Sequence, residues 1–402
     1  MARPLVALFA CASGLSVANI YYAQPLLDAL SADFGIALAA VGAIVTTTQV
    51  GCALALLSLV PLGDRMDRRR LMLVQLAALV VALTGVGLAT SATVLLIGML
   101  SLGLLATAMT QGLIAYAATA AAPAERGRVV GAAQGGVVIG LLLGRVLAGS
   151  IADLAGWRAV YLCAAAVMLA LGVLLWKVLP QQAPPIRRLS YVQLLLSMCA
   201  LLREERVLQI RGVLAMLLFA AFNVFWTVLV LLLSAPPYGF SHTQVGAFGL
   251  VGVVGALGAA RAGAWADRGL GQWTSGMALV LLLAAWLPLS LATQSLWWLV
   301  LGIVALDLGG QAIHVTNQSM IFSTKQEAHS RLVGCYMMFY ALGSGLGAIA
   351  ATAVWSTWGW PGVCLLGAVI SALALLFWVL TVRTMLQPRV TPEPLPPARV
   401  SS

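Results

Sequence analysis

PLGDRMDRRRLM, residues 61–72, and RAGAWADRGLG, residues 261–271, are two copies of one charged turn. Gly63, Asp67 and Arg68 of the first correspond to Gly263, Asp267 and Arg268 of the second, 200 residues apart in a chain of 402. Each turn lies between two long apolar runs. A chain that repeats itself once at half its length, with its charges gathered in short turns, reads as a duplicated membrane protein.

Composition supports this. Apolar residues make up 62% of the chain and charged residues 8%, against about 25% charged in a soluble domain. A soluble protein of this kind could not cover itself with polar surface, and single cores stop growing near roughly 250–300 residues. Lipid removes the requirement, because it solvates apolar side chains directly. The net charge of +10 does not point to nucleic acid. The basic residues cluster at the ends of apolar segments, where they set topology and attract anionic headgroups. The six cysteines form no C-x-x-C pair and fall mostly inside apolar runs, so they read as small buried hydrophobes. No metal or other cofactor is expected.

A membrane helix needs about 20 apolar residues. Twelve runs meet this, at 5–27, 38–61, 71–90, 94–119, 129–151, 159–179, 212–234, 243–264, 274–292, 296–320, 331–355 and 361–382. The first run continues past the length of a cleaved signal and reads as the first membrane helix. The expected fold is an all-α integral membrane protein of twelve transmembrane helices in two parallel six-helix repeats. Its parts are an N-terminal bundle over 1–180, a cytoplasmic linker over 181–211, a C-terminal bundle over 212–383 and a disordered cytoplasmic tail over 384–402. Within the linker, Leu189–Leu202 has an apolar face suited to lying at the interface. With the N-terminus inside, the turns carrying Arg65, Arg68–Arg70, Arg126, Arg128, Lys177, Arg261, Arg268, Lys325 and Arg331 are cytoplasmic. The opposite turns hold Asp28, Asp33 and Asp153 with only Arg158. That asymmetry places both termini in the cytoplasm.

The repeats match beyond the charged turns. Arg128, Gly131, Gly140, Gly144, Gly156 and Trp157 find Arg331, Gly334, Gly343, Gly347, Gly359 and Trp360 at an offset of 203. Six helices per repeat means that both repeats enter the membrane from the same side.

These residues resemble the major facilitator superfamily over essentially the whole chain. Its hallmark turn between helices 2 and 3, G-x-x-x-D-R-x-G-R-K, is carried by Gly63, Asp67 and Arg68, with Arg70 where the second Gly is expected. The second copy keeps Gly263, Asp267 and Arg268 and loses the basic end. The helix-5 pattern of the family's antiporters, G-x8-G-x3-G-P-x2-G-G, is matched by Gly131, Gly140, Gly144 and Gly149, with Arg145 in place of Pro. ANIYYAQPLL in the first helix is similar to bacterial drug and metabolite efflux permeases of this group. The resemblance implies a monomeric transporter whose halves rock about a central site. It also implies a partner for Asp67 at the start of helix 11, near Arg331 and Leu332, that latches one face shut.

Several residues could carry the chemistry. Asp307 lies about ten residues past the interface tryptophans Trp297 and Trp298, near the midplane at about 1.5 Å per residue. A charge there costs roughly 2.5–3.5 kcal/mol on insertion scales, so it faces a cavity or holds a proton, or makes a structural pair. Gln311, His314 and Gln318 follow on the same helix face. Arg145 is the other buried charge, able to hold an anionic group, pair with a carboxylate or snorkel. Whether it meets Asp307 is open. Asn19, Tyr22, Gln24, Met109, Gln111, Tyr116, Asn223 and Trp226 are the polar, Met and aromatic residues of helices 1, 4 and 7, which by resemblance line the path. Each fits packing as well. The helix-5 glycines suit a close helix seam. His242 and His329 sit in turns and suggest nothing. No nucleotide-binding loop, hydrolase motif or metal spacing is present, so an enzyme is not expected.

The expected function is a secondary active transporter of the bacterial inner membrane, exporting a small organic molecule against protons. The alternative is an importer or facilitator of a small organic anion held by Arg145. A membrane sensor or enzyme is a remote third.

Overall fold

The computed structural model describes residues 3–63, 65–122, 125–179, 190–322, 324 and 329–386. Among them there is no β-strand. The first half is α1 (Arg3–Phe34), α2 (Gly42–Leu62), α3 (Arg68–Gly87), α4 (Ala92–Ala120), α5 (Arg126–Ala155) and α6 (Trp157–Val178). The second is α7 (Arg206–Ser234), α8 (His242–Ala247, Phe248–Gly252 and Val253–Trp265), α9 (Arg268–Ser290), α10 (Leu296–Phe322), α11 (residues 329–358) and α12 (residues 360–386). Among the described residues, ten helical stretches are long and apolar enough to cross a membrane, α11 and α12 being joined in one of them. Twelve crossings result because α8 changes winding midway and because α11 and α12 run into each other at Gly359.

Local chemistry explains the ends. Gly35, with φ 62°, ends α1 in the left-handed conformation that a side chain disfavours. Gly359 (φ 58°, ψ −155°) turns the chain from α11 into α12 without a loop. Asp67 caps α3 by accepting from the backbone N–H groups of Arg69 at 2.9 Å and Arg70 at 3.3 Å. Ser241 and Gln244 form a capping box at the start of α8. Many large apolar side chains lie on the outer surface, among them Val81, Leu154 and Leu287, as they would against lipid.

Two boundaries differ from expectation. α7 starts at Arg206, six residues before the expected 212, so Arg211 lies inside the bundle and not in the linker. The linker contains a helix, Tyr191–Glu204, over the segment expected to have an apolar face, with Leu194, Met198 and Leu201 buried. α12 runs to Leu386, past the expected start of the tail. Residues 180–189, Lys325, the side chain of Asp267 and the tail over 387–402 lie outside the described residues.

The bundle has two ends: one carries the Asp67 turn and the linker helix, the other carries His242. Between the halves, α2 and α11 are bonded near the His242 end. Gly42 N–H donates to Thr352 Oγ1 at 3.2 Å, Thr46 Oγ1 to the Gly345 carbonyl at 2.7 Å, and Thr352 Oγ1 to the Ala39 carbonyl at 3.1 Å. α5 meets α8 at the same end, where Gly149 lies against the His242 backbone. Toward the Asp67 end, Gly127, Gly131 and Gly135 of α5 face open space, with nothing within 4 Å of where a Cβ would stand. The halves are therefore zipped at the His242 end. The linker helix spans the other end: Tyr191 OH donates to the Leu57 carbonyl of α2 at 3.1 Å, and Cys335 Sγ of α11 to the Met198 carbonyl at 3.8 Å.

Candidate transport site

Arg145 is 3% exposed and Asp307 4% exposed, so two opposite charges sit inside the bundle, one from each half. Arg145 Nε donates to Gln24 Oε1 at 2.9 Å, and Gln24 Nε2 donates to Asn223 Oδ1 at 3.2 Å. Asn223 is held in turn by the Phe219 carbonyl at 3.1 Å. This chain joins α5, α1 and α7 across the interface of the halves. The guanidinium carbon lies 4.1 Å from the Trp226 ring centre and 5.3 Å from that of Tyr21, a cation–π arrangement that partly replaces lost water. The hydroxyls of Tyr21 and Tyr340 bond to each other, tying α1 to α11.

Asp307 and Arg145 lie within Coulombic reach but form no direct pair: Asp307 Oδ1 and Arg145 Nη2 are both buried without a hydrogen-bond partner. Trp226 Nε1 is likewise unpartnered. The glycines of α8 explain how both charges fit. Gly246, Gly249, Gly252, Gly255 and Gly258 recur every third residue. The middle of α8, Phe248–Gly252, is a 3₁₀-helix, in which residues three apart eclipse. Gly246 lies against the Arg145 backbone and Gly249 against its side chain; Gly255 lies against the backbone and Cβ of Asp307, and at Gly252 a side chain would collide with the Asp307 carboxylate.

The comparisons with known proteins agree with this architecture. The family model of the Major Facilitator Superfamily matches residues 7–325 and 213–402. The chain belongs to the major facilitator superfamily. It is 40% identical over 378 residues to the uncharacterized transporter YgaY of Escherichia coli O157:H7, covering 93% of this chain and 94% of that one. It is 32% identical to the probable transporter SCO4007 of Streptomyces coelicolor, covering 94% and 87%. Its fold is similar to that of a bacterial homolog of the human lysosomal transporter Spinster (TM-score 0.79, 14% identity, 98% and 100% covered). The human organic anion transporter MFSD10 also shares the fold (TM-score 0.66, 18% identity, 94% and 99% covered). The protein is thus a multi-pass membrane transporter and not an enzyme.

The remaining predicted residues of the transporter fall into three places. Gln311, His314 and Gln318 of α10 are half-buried on one face below Asp307. His314 Nδ1 is 2.8 Å from Tyr336 OH, and its Nε2 is 3.3 Å from Gln318 Nε2. The Phe219 ring packs edge-on against both His314 and Tyr340, whose ring centres are 6.5 Å apart. Asn19 and Tyr22 are buried in α1, with Asn19 Nδ2 bonded back to the Leu15 carbonyl at 2.8 Å. Met109 and Tyr116 are fully enclosed in the apolar core of the first half, Tyr116 against Phe9. Gln111 is half-buried on the same helix. The structure does not bring these three to the charged cluster.

The helix-5 glycines serve different neighbours. Gly140 and Gly144 lie on the α1 backbone at Gly14 and Ala18, Gly149 meets α8, and Gly131 faces open space. The two charged turns also differ. In the first, Arg68 Nε donates to the Gly63 carbonyl at 3.0 Å and Nη1 to the Ala115 carbonyl at 3.2 Å. In the second, residues Ala266–Leu270 form a π-turn with Gly269 at φ 81°, and Arg268 is exposed. A Cβ on Gly263 would stand 3.1 Å from Val315.

Two functional candidates escaped sequence reasoning. His242 is not an idle turn residue. Its Nε2 is 3.1 Å from Asp28 Oδ1 of α1 and its Nδ1 is 3.0 Å from Asp153 Oδ1 of α5. The Thr243 N–H and hydroxyl also donate to Asp153, at 2.8 and 2.6 Å. Arg211, 1% exposed, is held by neutral groups: Nη1 donates to Ser275 Oγ at 2.7 Å and Asn317 Oδ1 at 3.2 Å, and Nη2 to Gln272 Oε1 at 2.8 Å. The only signal for it was an arginine standing inside the run LQIRGVLAMLL.

Proposed function

We propose that this transporter exports a small organic compound in exchange for protons, by alternating access, as a monomer in the bacterial inner membrane. Both termini and the Asp67 end face the cytoplasm in this reading. The observation that carries it is the pair Arg145 and Asp307: buried, of opposite charge, from opposite halves, and without a direct bond to each other. A carboxyl inside the membrane that lacks an ion partner is a natural place to load a proton on one side and release it on the other. Arg145 then sets the charge balance of the cluster in each protonation state. The zipped His242 end makes this conformation one that is closed on the side opposite the cytoplasm. Asp67, which caps its own helix here, becomes available as a latch to α11 when the Asp67 end closes. The export direction rests on the likeness of the first and fifth helices to efflux permeases.

The test is flux into and out of proteoliposomes with an imposed pH gradient. Wild type is expected to accumulate substrate against its gradient only when protons run the opposite way, and Asp307→Asn to retain exchange but lose accumulation. Uphill transport by Asp307→Asn, or wild-type flux indifferent to the pH gradient, would overturn the reading.

A further inference from the structure

We infer that the central cluster takes a zwitterion with an apolar body, of which an α-amino acid with an aliphatic or aromatic side chain is the simplest form. Its carboxylate binds Arg145 and its ammonium binds Asp307. The inference rests on the reading of this cluster as the transport site and names its substrate class.

Each end of the cluster is a half-finished recognition site. The Arg145 guanidinium is fixed by Gln24 through Nε and covered by Trp226, which leaves Nη2 as a buried donor with no acceptor. A planar donor fork of this kind fits a carboxylate. Asp307 Oδ1 is a buried acceptor with no donor. An ammonium, with three donors and no acceptor, satisfies it.

Both ends lie against one short stretch of α8. Arg145 rests on Gly249 and Asp307 on Gly252 of the same 3₁₀ stretch. At about 2.0 Å rise per residue the two glycines stand about 6 Å apart along the helix. The two side chains thus come to neighbouring turns of one helix stretch, with no hydrogen bond on Arg145 Nη2 or Asp307 Oδ1. An amino acid's ammonium and carboxylate reach both ends with one hydrogen bond of about 3 Å at each. Beside Arg145, the walls are Pro25, Leu229, Val230 and Val245, which suit an apolar side chain. The cavity there has a volume of about 10 Å³, so entry requires the halves to part.

A singly charged substrate fits less well. An anion would leave Asp307 unpaired and would stand near its charge. A cation would leave Arg145 unpaired, and an unpaired buried charge is strongly unfavourable. The ammonium and a proton also compete for the same Asp307 oxygen. Substrate arrival then coincides with proton departure, as exchange requires.

The test compares charge variants of one skeleton on the purified full-length transporter, by titration calorimetry and thermal shift. The probes are leucine, 4-methylpentanoate and 3-methylbutylamine, and in parallel phenylalanine, 3-phenylpropanoate and phenethylamine. At least one amino acid is expected to bind tenfold or more tightly than both of its singly charged analogues. Asp307→Asn should erase its advantage over the acid, and Arg145→Gln its advantage over the amine. If an acid or amine binds as tightly as its amino acid, or if neither amino acid binds, the inference is overturned. The wild-type comparison stands even if a variant fails to fold. Failure here is separable from failure of proton coupling. Gradient-driven transport of an acid or amine probe would reject the zwitterion alone. Amino-acid transport indifferent to the pH gradient would reject the coupling alone.

Discussion

His242 Nε2 lies 3.1 Å from Asp28 Oδ1, across the interface between the two halves. The same ring meets Asp153 on its other nitrogen at 3.0 Å, so one imidazole from α8 joins two carboxylates from α1 and α5. The remaining charged groups described at this end, Arg158 and Asp33, pair with each other at 2.6 Å. The hydrogen bond to Asp28 raises the His242 pKa above its ordinary 6.5; burial opposes this, and Asp153 adds to it. A raised value means that the contact is at full strength below pH 6.5 and fades as pH climbs through the raised pKa. Acid on this side should therefore favour the conformation zipped at the His242 end. A charged hydrogen bond of this kind contributes about 1.5 kcal/mol, roughly a tenfold shift in the two-state ratio. Distances between spin labels on the two halves at this end, measured across pH 5–9, should show the shift in wild type and none in His242→Gln. An unchanged pH response in that variant would remove His242 as the sensor.

Asp67 offers a clean separation of two roles. Its carboxylate caps α3 at Arg69 and Arg70, and Asn caps a helix about as well, whereas Ala costs about 1 kcal/mol. Asp67→Ala should lower the melting temperature in detergent and Asp67→Asn should not. If the charge also latches α11 in the other conformation, Asp67→Asn alone will still slow transport and enrich the form zipped at the His242 end. Equal stability loss in both variants would mean that charge, not capping, holds the turn.

The fold was legible because charge is expensive in lipid: charged turns, glycine breaks and the 200-residue repeat mark where helices stop. Arg145 and Asp307 stood out for the same reason. Their proximity was not legible, because an apolar run does not say which neighbour its one charge will face. Gly249 and Gly252 held the clue, since two glycines three residues apart share one face of the 3₁₀ turn against which Arg145 and Asp307 pack. His242 was hidden because its carboxylates lie 89 and 214 residues away in sequence. Arg211 was hidden because Arg203 and Arg206, just before it, made it look like the last charge of the linker.

The α1–α5 seam predicts a sharp contrast between two glycines of one motif. A methyl on Gly140 would be driven into the Gly14 backbone, while one on Gly131 would meet nothing within 4 Å. Backbone cannot give way as a side-chain tip can, so Gly140→Ala should destabilise by about 1–3 kcal/mol. Gly131→Ala should be neutral or stabilise slightly, by up to about 1 kcal/mol, because Ala favours the helix. Fluorescence-detected thermal unfolding of both proteins checks this. A melting temperature for Gly140→Ala equal to wild type would mean that the seam is looser than the structure shows.

Arg211 predicts a structural phenotype without a change of coupling. It donates to Ser275, Asn317 and Gln272, and Gln272 also accepts from Trp378 Nε1 at 3.2 Å, so one side chain ties α7 to α9, α10 and α12. Removing it leaves several buried acceptors unmet, at about 1–3 kcal/mol each. Arg211→Ala should therefore be among the most destabilising single changes in the second half. Arg211→Lys keeps the charge but lacks the planar fork that reaches three partners at once, so it should recover only part of the loss. The pH dependence of transport in Arg211→Lys should match wild type, since none of its hydrogen-bond partners titrates. A shifted pH profile with unchanged melting would reverse the assignment and place Arg211 in the proton path.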